Sequence, residues 1–64
     1  MAYQVKWMAD DVSVNEINDL SMEDAKIACI DGQLQKDVNF VFMAVGSTPI
    51  FRAYKIGDAW RTVS

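Results

Sequence analysis

Histidine is absent from the 64 residues, and cysteine and proline occur once each, as Cys29 and Pro49. Without histidine, nucleophilic catalysis of the Ser-His or Cys-His type is closed to this chain, and zinc sites fail on the same count. A single cysteine cannot close an internal disulfide. Cys29 sits in the apolar run Ile27-Ala28-Cys29-Ile30, without the cationic, exposed surroundings that make a reactive thiolate, so it reads as a small buried hydrophobe. The three glycines, Gly32, Gly46 and Gly57, are isolated, so no glycine-rich phosphate cradle is present. No apolar run reaches the 18 residues of a membrane span. Residues 1–9 lack the basic stretch and apolar core of a secretion signal. A reducing, cytoplasmic setting is the expectation.

What is abundant is apolar and acidic. Hydrophobic residues make up 52% of the chain, above the roughly 45–50% that is typical even with glycine counted in. A chain this short forms one domain, residues 1–64, and buries only about 60% of the surface its unfolded form exposes. The surplus predicts exposed apolar surface able to meet another protein or a second copy.

Residues 3–8 alternate, with Tyr3, Val5 and Trp7 on one face and Gln4 and Lys6 on the other, which predicts a half-buried strand. Asp10-Asp11 reads as a turn. For residues 12–20 the spacing of Val14, Ile17 and Leu20, together with a Ser13/Glu16 capping box, predicts a short helical turn. Ser21 followed by Glu23 and Asp24 is a clearer helix start. That helix runs from Met22 to about Asp31, ended by Gly32 or continued through Leu34 at the cost of an internal glycine. At 100° per residue Met22, Ala25 and Cys29 share the side expected to face a sheet, and Ile27, Ile30 and Leu34 another, an apolar arc wider than one sheet covers. Val38–Val45 is apolar apart from Asn39 and predicts a central strand covered on both faces. Gly46-Ser47-Thr48-Pro49 reads as a loop. Gly57-Asp58 predicts a two-residue hairpin that pairs Ile56 with Ala59 and Tyr54 with Arg61, and puts Phe51, Ala53, Lys55 and Trp60 on the opposite face. The sum is an α+β domain of order β-α-β-β-β, a three- to four-stranded antiparallel sheet with one main helix on one face.

No catalytic residue and no cofactor is assigned. Asp11, Ser13 and Asn15 imitate the opening of a calcium loop, but Glu16 stands where its glycine belongs and Met22 where its last ligand belongs, so no metal is expected either. Charge is the remaining signal. Seven acids, Asp10, Asp11, Glu16, Asp19, Glu23, Asp24 and Asp31, face Lys26 alone within residues 10–31, whereas Arg52, Lys55 and Arg61 outnumber Asp58 in residues 38–64.

In size and charge the chain resembles the small acidic inhibitors that phages carry against bacterial nucleases, anti-CRISPR proteins among them. The resemblance implies a non-enzymatic, DNA-mimic inhibitor acting in the host-cell cytoplasm. The charge distribution itself points to the docking surface: the acidic residues 10–31 would meet a basic, nucleic-acid-binding surface on a partner protein. Duplex DNA carries one charge per about 1.7 Å, and minus six over this segment, even fully helical, gives one per about 5.5 Å. The mimicry is therefore of a few phosphates. One alternative is a nucleic-acid-binding module built on the C-terminal hairpin, with Arg52, Tyr54, Lys55, Trp60 and Arg61 as its patch; the net charge of −3 opposes direct approach to a polyanion. Another is a self-associating accessory protein that buries the helix's apolar arc in a homodimer.

Overall fold

A computed structural model describes residues 2–63. The order is β1 (Tyr3–Ala9), β2 (Val12–Leu20), α1 (Met22–Gln33), β3 (Phe40–Val45), β4 (Thr48–Ile56) and β5 (Ala59–Val63). The five strands form one antiparallel sheet in the order β2-β1-β3-β4-β5. The helix lies across β1, β3 and β2 on one side of it. The domain is α+β with one helix, as expected, but has one more strand than the upper expectation of four.

That extra strand is β2, where a helical turn was expected. Its spacing of three has a strand explanation. Val5 pairs with Ile17 and Tyr3 with Leu20, so three steps on β2 oppose two on β1, and Asp19 takes φ 60° within this bulge. A bulge keeps both apolar residues toward the helix at a spacing that imitates helical periodicity. A second irregularity, between Trp7 and Met8, leaves Val14 as the extra residue opposite. Asp10 and Asp11, at φ 50° and 67°, make the two-residue turn with both central residues left-handed, a conformation aspartate tolerates and strand twist favours.

Ser21 caps α1 as read, its Oγ accepting from the Asp24 amide at 3.1 Å. The helix does not stop before Gly32. It runs through Gln33 to a Leu34 cap, and its last carbonyls accept tightened bonds from Leu34 N (to Asp31 O, 3.1 Å) and Gln35 N (to Gly32 O, 3.2 Å), which satisfies them without a left-handed residue. Gly32 serves packing instead. A Cβ there would lie 2.6 Å from Trp7 Nε1, and the indole so admitted donates to the Ala28 carbonyl at 3.0 Å.

Behind β1, residues Val5, Ala25, Ala28, Cys29, Val38, Val41 and Met43 form the core, with Tyr3, Trp7, Ile17, Leu20, Phe51 and Trp60 packed around it. The largest side chains buried almost completely are valines: Val5, Val38 and Val41. Among the described residues no isoleucine or leucine is buried. Met22, expected among the sheet-facing residues, is exposed. Val38 is buried ahead of β3 rather than in it, and β3 is covered by the helix on one face only, so Phe40 and Phe42 stay half-buried on the other. The strand β4 begins at Thr48, earlier than expected, after a two-residue Gly46-Ser47 turn, and Pro49 is tolerated because among the described residues β5 pairs back to Arg52 and β3 alone pairs with the Thr48–Pro49 end of β4. The β4–β5 register is as read: Ile56 opposite Ala59, Tyr54 opposite Arg61, Lys55 opposite Trp60.

Cys29 is 3% exposed on the sheet side of α1. Burial pushes its thiol up from 9.0 to about 11. Above pH 9 an unfolded thiol ionises while the folded one keeps its proton, so this group's stabilising contribution is complete below 9 and lost as pH rises through about 11. Native Cys29 should react slowly with an aromatic disulfide reagent at pH 8 and rapidly once the chain is unfolded in denaturant. Cys29→Ala should cost about 1 kcal/mol, read as a shift in urea midpoint. Fast labelling of the native protein would contradict the packing.

Candidate protein-binding and sheet surfaces

The two sides of the sheet present different chemistry. On the helix side, Ala25, Ala28, Cys29 and Gly32 turn inward, so the residues half a turn away point out. Those are Ile27, Ile30 and Leu34, which are 53%, 59% and 76% exposed. At 100° per residue they form a stripe within about 60° of arc, spaced i, i+3, i+7 over about 10 Å of helix. Glu23 continues the stripe toward the N-terminus. Asp24 and Asp31 run along the flank nearer β2, and Met22 and Lys26 along the flank nearer β4. Because α1 does not extend over β4, a groove of about 390 Å³ opens beside it, lined by Met22, Lys26, Ile30, Met43, Ile50 and Phe51.

The acidic residues contiguous in sequence are divided in space. Glu23, Asp24 and Asp31 lie on the exposed helix surface. Asp19 sits in the bulge near the end of β2 that leads into the helix, and Asp10 and Asp11 in the turn at the strand's other end, nine residues or about 30 Å of extended chain away. The Asp10 carboxylate accepts from Asn39 Nδ2 at 2.9 Å while its amide donates to Asn39 Oδ1 at 3.2 Å. Glu16 points away from the helix, 3.3 Å from Lys6 Nζ and 3.3 Å from Asn18 Nδ2. The Asn18 amide first, and Lys6 second, hold its carboxyl below its ordinary value.

Models of known protein families, curated proteins and solved structures were all compared with the chain, and none matches.

The hairpin patch is divided as well. Strand register puts Arg52, Tyr54 and Arg61 on the helix-free side but Lys55 and Trp60 on the helix side, where Trp60 packs against the core. Residues that sequence reading did not assign to a site complete the open side. Lys6, Phe42 and Arg52 form one cross-strand row, and Met8, Phe40, Tyr54 and Arg61 the next. Both faces of β3 are apolar, so no alternation in the sequence marked Phe40 and Phe42 as the side left open.

Ser13 and Asn15, two of the calcium-like residues, pair with Met8 and Trp7 and so lie on opposite faces of β2. Among the described residues no group of three or more acidic or cysteine side chains could hold a metal ion, and no helix is long and apolar enough to cross a membrane.

Proposed function

We propose that this protein is a non-enzymatic binding protein, an inhibitor or regulator, that docks the outer face of α1 on a partner protein. The observation that carries the reading is the exposed Ile27-Ile30-Leu34 stripe. In a chain whose core is filled by valine, alanine, cysteine and methionine, branched side chains of this size on the outside of a helix mark an interface. Their spacing is that of a helix laid into a groove. Glu23, Asp24 and Asp31 border the stripe, so the complementary partner carries an apolar groove with a basic rim, as nucleic-acid-binding proteins offer. The acidic contribution is confined to these helix residues. It steers the encounter, and the apolar contact supplies the affinity.

Immobilised protein incubated with cell extract should retain a basic, nucleic-acid-binding protein, identified by mass spectrometry. Raising salt from about 50 to 200 mM should reduce capture, and added nucleic acid should compete. Asp24→Asn combined with Asp31→Asn should weaken retention about five- to tenfold, in line with two rim charges worth 0.5–0.7 kcal/mol each. Asp10→Asn and Asp11→Asn should have no such effect. Retention that ignores the helix variants, or a chain that pairs only with itself in sedimentation, would remove this reading.

A further inference from the structure

The helix-free side of the sheet is a second surface, and it faces away from α1. From its chemistry we infer a binding site for single-stranded nucleic acid, separate from the protein-docking reading above. Phe40 and Phe42 have ring centroids 5.7 Å apart, and Tyr54 stands directly across from Phe40 on the next strand. Neither phenylalanine is covered by another layer, and Tyr54 is 37% exposed. These rings offer π-faces to stack on unpaired bases, a mode indifferent to base identity because every base has a π-face.

Cations border the rings on two sides. Lys6 and Arg52 flank Phe42 on adjacent strands, about 10 Å apart across two strand spacings. Arg61 stands beside Tyr54. On this side Glu16 is already paired with Lys6, and among the described residues no carboxylate forms an ion pair with Arg52 or Arg61. Seven of the nine acids behind the net charge of −3 lie in turns or on the helix. A strand laid across the sheet would place bases on the rings and phosphates against the guanidinium groups. Duplex DNA keeps its base faces stacked internally and has no use for the rings. A second copy laid on this face would set Arg52 and Arg61 against the same cations, so charge favours the polyanion.

The test is fluorescence-anisotropy titration of labelled oligo(dT) and oligo(U) 12-mers, with a 12-base-pair duplex as comparison, using the intact chain. Both single strands should bind, with the tighter of the two telling DNA from RNA as the source. Affinity should fall from 50 to 200 mM salt by about sevenfold if two phosphates are contacted and about twentyfold if three. Phe42→Leu and Tyr54→Leu keep apolar bulk but remove the ring, and each should weaken binding about tenfold with an unchanged circular dichroism spectrum. Arg52→Gln should flatten the salt dependence, and Ile30→Asp should leave oligonucleotide binding as it was. No binding at 50 mM salt, equal affinity for the duplex, or indifference to both leucine variants would overturn the site.

Discussion

Trp7→Ala is expected to cost the folded state about 3 to 5 kcal/mol, which is most of the stability available. At about 0.05–0.15 kcal/mol per residue, a chain of 64 residues has roughly 3 to 10 kcal/mol in total. The indole of Trp7 fills the space that Gly32 leaves and donates to the Ala28 carbonyl, and Trp7 stands beside Val41 on the neighbouring strand. No other single contact joins α1 to the sheet through both packing and a hydrogen bond among the described residues. Gly32→Ala attacks the same contact from the opposite side. Alanine gains about 1 kcal/mol in helix propensity, but a methyl group 2.6–3.0 Å from three indole atoms must displace the ring, at a cost of about 1–3 kcal/mol. Urea denaturation followed by tryptophan fluorescence reads both. The two substitutions are expected to be non-additive, because without the ring the alanine methyl at position 32 loses its three closest clashes. Equal midpoints for wild type and Trp7→Ala would show that the helix is held some other way.

The second large effect is functional. Ile30→Asp and Leu34→Asp should each reduce capture of the partner at least thirtyfold, since an anchor in a helix-in-groove contact carries about 2 kcal/mol or more and a buried unpaired carboxylate adds to the loss. The same changes should leave the domain folded, at a cost of no more than about 1 kcal/mol, because both side chains are exposed and a negative charge at the helix C-terminal end costs about 0.3–1 kcal/mol. Binding and melting temperature measured on the same samples separate the two. Loss of both together would mean that these residues hold the fold and not the partner.

Legibility in the sequence varied with how local the determining physics was. Ser21 and its first-turn acids start a helix by a bond three residues long, and Gly57-Asp58 sets the register of its own hairpin, so both were readable. The strand β2 was not, because bulges at Val14 and around Asp19 replaced the period of two with a spacing of three. Gly32 was ambiguous between stop and interior because what decides it is Trp7, twenty-five positions away. The run from Phe40 to Val45 showed a strand but not that one face lies open, since both faces are apolar. That is also why Phe40 and Phe42 were missed, and why Lys6 could not be joined to Arg52: only the β1–β3–β4 register puts them in one row. The acids misled in the other direction. Contiguous between residues 10 and 31, they were distributed by a hairpin and a helix to both ends and both faces of the sheet. The apolar arc of Ile27, Ile30 and Leu34 was visible from helical spacing alone, although what lay over it was not.

The arc of Ile27, Ile30 and Leu34, exposed in the isolated domain, is the surface proposed to receive a partner protein. A photo-crosslinking residue introduced at position 34 reports on that directly, with the same residue at Asn15, on the helix side of edge strand β2, and at Arg61, on the helix-free side, for comparison. After irradiation in cell extract, a covalent adduct from position 34 to a basic protein is expected, abolished by Ile30→Asp and reduced by competing nucleic acid, with little or none from positions 15 and 61. Adducts to the same protein from position 61 but not from position 34 would contradict it.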